Sequence, residues 1–220
     1  MKKISLSLIV LFAFSVLLFS NTKVSVPQFK EISLSKFDTS ILKEGDVIFQ
    51  TDNHGQSLAV QKATLSKYSH VGILFLENNE WFVYEAIQPV IKSKLASFIR
   101  RGDKGNFTIS RYKNAIEELT ASKISKMKTF FTKVEGKDYD LLFEWSDKTW
   151  YCSELVWKMY HSVGIQISEF EKFGQYNLED PYVQQIIKQR FKNGVNKNET
   201  VITPKGIYES ALMEEIYTNY

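Results

Sequence analysis

The segment SHVGILFLENNEWFVYEAI, residues 69–87, constrains this chain more than any other. Two apolar runs rich in β-branched and aromatic residues flank Asn78-Asn79, a dipeptide that tolerates the positive φ of a tight turn. A hairpin follows, and its register comes with it. A turn centred on the two asparagines sets Glu77 opposite Glu80, Gly72 opposite Glu85 and His70 opposite Ile87. Opposed residues point to one face of a sheet, so His70, Gly72 and Glu85 share a face. His70 and Glu85 become diagonal neighbours at roughly 7–8 Å, a gap that two long side chains can bridge. Gly72 leaves space between them. The pair has two readings: an ion pair on a solvated face, or a carboxylate that orients an imidazole for chemistry. A slip of one residue would separate the two groups.

Around the hairpin, GDVIFQ (45–50) reads as a strand and QSLAVQKATLSKY (56–68) as an amphipathic helix. PVIKSKL (89–95) and FTISRY (107–112) read as further strands, with RRGDKGN (100–106) as a charged turn between them. One helix is expected over 116–134, where Ile116, Leu119, Ile124, Met127, Phe130, Phe131 and Val134 recur at helical spacing before Gly136. Asp180-Pro181 and Thr203-Pro204 each place a capping residue before a proline at the first helical position, so a helix should start at each. VNKNETVIT (195–203) is polar and then strand-like. No repeat or low-complexity linker interrupts the pattern, and the fold class it predicts is α+β in one domain. With 44% hydrophobic and 14% aromatic residues, such a domain can bury a full core.

Residues 1–20 are set apart. Lys2 and Lys3 precede an apolar run from Leu6 to Phe19, which is the pattern of an export signal. The run is short for a spanning helix, yet no clean small-x-small cleavage site follows, so an uncleaved anchor is the alternative. The organisation expected is therefore a signal segment at 1–20, an extension at 21–40 and the domain at 41–220. The localisation expected is periplasmic or extracellular, with membrane contact confined to residues 1–20 if they are kept. Removing Lys2 and Lys3 takes the formal charge from +3 to +1. The remaining basic residues are dispersed among acidic ones, which argues against a nucleic-acid partner.

Against that background the single cysteine, Cys152, is unusual. Exported proteins use cysteines in pairs, and a lone one is an inert buried side chain, an intermolecular link or a nucleophile. In YCSELVWKMYHSVG (151–164), Leu155, Val156, Met159, Tyr160 and Val163 form an apolar stripe that Gly164 ends. Cys152 falls in the first turn, where free amide N–H groups and the helix dipole favour negative charge on sulfur. A core cysteine would fit the same place. A thiol nucleophile is normally activated by a histidine. His161 lies roughly 13 Å along the same helix and cannot reach. His54 sits in a polar loop and reads as a solvated residue. His70 remains. No metal or cofactor is expected: there is no His-Glu-x-x-His, no cysteine pair and no phosphate loop.

Four segments in order resemble a known family: LKEGDVIFQ (42–50), YSHVGILF (68–75), WFVYEA (81–86) and YDLLFEW followed by WYCSELVWKMY (139–160). Together they are similar to the circularly permuted branch of the NlpC-type, papain-like cysteine hydrolases, the YiiX/YebB-like group. The tail VITPKGIYES (201–210) is similar to the ending of that group. The resemblance implies a papain-like antiparallel sheet or half-barrel packed against helices, with the nucleophile at a helix N-terminus. It implies Cys152 as nucleophile, His70 as base and Glu85 as the residue orienting the imidazole. The hairpin register singles out His70 and Glu85, and the lone-cysteine argument Cys152. Tyr151 and the Cys152 N–H are candidates for stabilising an oxyanion. Asp46 is expected to close a turn, and Ser153 and Glu154 to serve the helix start.

What the resemblance implies about activity is a thiol hydrolase working through a thioester. Cell-wall or other peptides are the leading substrates, because related proteins cut such amides and export would bring this chain to them. A lipid acyltransferase or thiol lipase, as in lecithin:retinol acyltransferase-like proteins, is the second reading. A catalytically silent binding domain is the third. Tyr139, Phe143, Trp145 and Trp150 would line a peptide groove or an acyl slot, or simply pack the core.

Overall fold

The computed structural model describes residues 37–52 and 55–220; the expected signal segment, the extension up to residue 36 and His54 lie outside them. The strands are β1 (Val47–Gln50), β2 (His70–Glu77), β3 (Glu80–Ala86), β4 (Val90–Lys94), β5 (Phe107–Tyr112), β6 (Glu171–Lys172), β7 (Thr200–Val201) and β8 (Met213–Thr218). The helices are α1 (Gly55–Thr64), α2 (Leu95–Arg101), α3 (Ala115–Glu118), α4 (Ala121–Thr132), α5 (Cys152–His161), α6 (Pro181–Arg190) and α7 (Pro204–Tyr208). Six strands form one antiparallel sheet in the order β4-β3-β2-β1-β5-β8, and β6 pairs with β7 separately.

The hairpin register is the expected one. Glu77 opposes Glu80, and the pairing runs on to Ile73 opposite Tyr84. Asn78 and Asn79 both adopt positive φ, 50° and 62°, which matches the twist of the flanking strands. Gly72 is required by packing: a Cβ there would lie 2.4 Å from a Val83 methyl and 3.3 Å from the Glu85 Cβ.

The central strands are buried on both faces, and alternation divides their side chains between two cores. Val47, Phe49, Val71, Ile73, Phe75 and Tyr84 pack under α4, α5 and α7. Ile48, Leu74, Val83 and Ile109 face the other way, toward Leu95, Phe98 and Ile99 of α2. Helix α2 takes up the unassigned residues 96–99 and corrects the expected strand (89–95) at Leu95 and the expected turn (100–106) at Arg100 and Arg101. Its seven residues put Leu95, Phe98 and Ile99 on one side, and burying that stripe on the sheet outweighs the strand-like character of the preceding residues.

The single helix expected over 116–134 is two. Thr120 accepts a hydrogen bond from Lys123 N–H and caps α4, so the chain turns at Leu119 and Ile116 is left exposed. The two Pro-started helices begin as expected. Asp180 accepts from Tyr182 N–H at 2.8 Å and Thr203 from Gly206 N–H at 3.0 Å. Asp46 does close a turn, accepting from Lys43 N–H at 2.7 Å. It also holds Arg111 of β5 through two contacts of 2.7 Å, with the carboxylate buried. Removing one partner from a buried pair leaves the other uncompensated. Asp46→Ala should therefore cost about 3–5 kcal/mol in urea unfolding, and Asp46→Ala with Arg111→Met should recover part of it.

Candidate active site

Helix α2 completes the face on which His70 and Glu85 stand. Glu85 has no solvent exposure. Its Oε2 lies 2.6 Å from His70 Nε2, and its Oε1 receives Arg101 Nη2 from the last turn of α2. Ser93 of β4 donates to the same carboxylate. Phe98, one turn before Arg101, stacks on the imidazole with ring centroids 5.6 Å apart. The solvated-face reading of the pair thus fails, because α2 covers the face. Burial alone would raise the Glu85 pKa. The bond to His70 and the charges of His70 and Arg101 outweigh it and hold the carboxyl below its usual range.

Cys152 belongs to the helix on the opposite face. It is the first residue of α5 and His70 is the first of β2, so the two meet at the rim of the sheet, where each reaches past its end. The imidazole is close enough to Cys152 for the two to interact. Glu85 occupies Nε2, which leaves Nδ1 as the ring nitrogen available to the thiol. Burial works against a charged His70, but the bonds and charges of Cys152 and Glu85 prevail and push its pKa up to about 9. The sulfur is almost fully buried and has the His70 imidazolium beside it.

A residue that the sequence named only as an aromatic of the loop stands at the thiol as well. The Tyr139 hydroxyl lies close enough to Cys152 to interact with it and accepts from Gln56 Nε2 at 3.2 Å; Gln56 is held in turn by Arg190 of α6. Burial and the neighbouring negative groups raise the Tyr139 pKa well above that of an ordinary phenol, so it keeps its proton for donation. The backbone fixes its place. Tyr139 forms a parallel bridge with Trp150, two residues before the cysteine, and its N–H donates to Gln88 at 2.7 Å. No local pattern could reveal this, because the bridge joins the two ends of an irregular loop.

The Tyr151 hydroxyl is placed differently from Tyr139. It accepts from Ile202 N–H at 3.2 Å, and the ring packs edge-on to Phe143. Its N–H donates to Glu154 at 3.4 Å, so Glu154 serves the helix start, whereas the Ser153 hydroxyl donates to the Ile202 carbonyl at 2.8 Å and ties α5 to the segment after β7. His161 stacks on Trp157 at the far end of α5. Arg101 and Ser93 are further residues that the sequence did not single out. The spacing of Leu95, Phe98 and Ile99, with two arginines closing the run, was the signal for the helix that carries Arg101.

The pH dependence of stability follows from His70. Its unfolded pKa is about 6.5 and its folded value is about 9, so the native state binds the proton more tightly. The stabilisation is complete below about pH 6.5 and is lost as pH rises through about 9. The Tm advantage of the wild type over His70→Gln should therefore shrink between pH 6 and pH 10, as measured by thermal melts across that range.

A family model described as permuted papain-like amidase enzyme, YaeF/YiiX, C92 family, matches residues 41–217. The YiiX protein of Escherichia coli (strain K12), itself uncharacterized, is 35% identical over 167 residues, which cover 76% of this chain and 81% of that one. The crystal structure of metalloprotein yiiX from Escherichia coli O157:H7 superposes with a TM-score of 0.76 at 34% identity, covering 81% of this chain and 98% of that one. Among the described residues of this chain, no three His, Cys, Asp or Glu side chains are grouped so as to hold a metal ion. The sheet order, the cysteine at a helix start after the histidine strand and these matches agree: the chain belongs to the permuted papain-like amidase family, the C92 group of YaeF/YiiX proteins, and is a thiol-dependent hydrolase of that kind.

Proposed function

We propose that this protein is an exported amidase in which Cys152 is the nucleophile, His70 its acid and base, and Glu85 the group that orients His70. The observation that carries this reading is the imidazole set beside the thiol and bonded to a buried carboxylate. The sulfur attacks the amide carbonyl carbon while its proton rests on His70. As the tetrahedral intermediate collapses, the C–N bond breaks, and His70 gives its proton to the departing nitrogen. Water then adds to the thioester with His70 accepting its proton. The C–S bond breaks, releasing the acid and returning the thiol.

Two donors serve the oxyanion. One is the Cys152 backbone N–H at the unsatisfied start of α5. The other is the Tyr139 hydroxyl, held neutral beside the sulfur. Tyr151, whose hydroxyl is engaged by Ile202 N–H, forms a wall of the site and caps the helix. Arg101 acts through Glu85 as a positioning residue, keeping the buried carboxylate charged.

Export rests on the basic and apolar character of residues 1–20, and it places the enzyme among the peptides and lipids of the cell envelope. No helix among the described residues is long and apolar enough to cross a membrane. A silent binding domain has no use for a protonated imidazole locked between sulfur and carboxylate, and that arrangement favours the enzyme.

Incubation with envelope extracts should release amine from wild-type protein and none from Cys152→Ala. Tyr139→Phe should lower kcat by roughly 10–1,000-fold with a smaller change in KM, as for loss of one oxyanion donor. The alkaline limb of kcat/KM should fall near pH 9, where His70 loses its proton. Full activity of Cys152→Ala would overturn the assignment.

A further inference from the structure

Polar contacts tie α6 to α1, and one of them differs from the others. Lys62 pairs with Asp180 at 3.2 Å, and the Tyr182 hydroxyl donates to the Gly55 carbonyl at 3.2 Å. Neither contact leads to the reacting groups. The tie from Arg190 Nη1, in the last turn of α6, to Gln56 Oε1, in the first turn of α1, does. Gln56 Nε2 donates to the Tyr139 hydroxyl at 3.2 Å, and Tyr139 stands beside Cys152. Gln56, Tyr139 and His70 border the same polar cleft.

The direction of each bond in this chain of groups is fixed by chemistry. A guanidinium can only donate, so the Gln56 oxygen must face Arg190 and its amide nitrogen must face Tyr139. The phenol oxygen accepts that bond. Its single proton is left for the thiol and for the carbonyl oxygen under attack. The Arg190 charge is felt at the phenol, and a polarised run of donors strengthens its last member. We infer that Arg190 and Gln56 are positioning residues for the reaction, aiming the Tyr139 proton at the oxyanion. In the amidase reading, on which this inference rests, Tyr139 is one of two donors to that oxygen. Gln56→Glu would reverse the chain, because a carboxylate accepts from both neighbours and would take the Tyr139 proton for itself. Gln56→Met would break both bonds without redirecting the proton.

Two reactions of the full chain separate aim from architecture. Hydrolysis of p-nitrophenyl acetate passes through an oxyanion, whereas alkylation of Cys152 by iodoacetamide does not. Gln56→Glu should lower kcat for the ester by roughly 10–1,000-fold, as loss of an oxyanion donor does, with a smaller change in KM and an unchanged alkylation rate. Adding Tyr139→Phe to it should cost nothing further. Arg190→Met and Gln56→Met should each lower kcat roughly 3–10-fold, the worth of one hydrogen bond. Arg190→Lys, which keeps a donor, should regain part of that loss. Lys62→Met cuts a neighbouring tie between the same helices and should leave kcat unchanged, with melting temperatures recorded for every variant.

If Tyr139→Phe lowers kcat and Gln56→Glu does not, the relay is overturned while the amidase reading stands. The same holds if Lys62→Met loses as much as Arg190→Met, or if hydrolysis and alkylation fall together in Gln56→Glu, since either result assigns the chain to architecture alone. Full kcat in Tyr139→Phe would remove the oxyanion donor and the relay with it, leaving Cys152 as nucleophile. A wild type that does not hydrolyse the ester through Cys152 would end the amidase reading and this inference together.

Discussion

A carboxylate without any solvent contact is the constraint from which the rest of this structure follows. Glu85 is fully buried and charged, a state that costs several kcal/mol unless every oxygen is answered. Here each is: one by His70, the other by Arg101, with Ser93 adding a third bond. Meeting that demand fixes three elements at once. The hairpin must keep its register, α2 must end at Arg101, and β4 must present Ser93. The imidazole is thereby held in one orientation before any substrate arrives.

The same constraint explains why the site draws on both faces of the sheet. The carboxylate, the guanidinium and the ring of Phe98 lie on the side covered by α2, whereas the sulfur belongs to α5 on the other side. His70, at the first position of β2, spans them. Charge alternates along the line from imidazolium through carboxylate to guanidinium, and each neighbour stabilises the next. An amidase needs its acid and base held at a stated place rather than strongly acidic or basic, and this line supplies that placement.

Much of the site was legible in the sequence where the controlling physics is local. Asn78-Asn79 set the hairpin register, and with it the meeting of His70 and Glu85. Asp180 and Thr203 announced their helices, and Gly164 ended the cysteine helix with φ of 80°. Non-local contacts were not legible. Helix α2 is seven residues long, and residues 92–94 before it alternate like a strand, so only burial of its apolar stripe against the sheet reveals it. The break at Thr120 hides in a helical periodicity that continues on either side of it. Tyr139 reaches the thiol because a bridge to Trp150 draws the two ends of a loop together, and no spacing rule encodes that. The edge strand β8 carried too little alternation, with Glu214 and Glu215 both exposed, to be recognised before its pairing with β5 was seen.

The central claim is that His70 is locked as a cation between Cys152 and Glu85, and nitrogen NMR of the imidazole addresses it most directly. In the wild-type protein the His70 ring nitrogens should titrate near pH 9, and Glu85→Gln should bring the midpoint down. A His70 that titrates at or below the ordinary value of about 6.5 in the folded wild type would contradict the account.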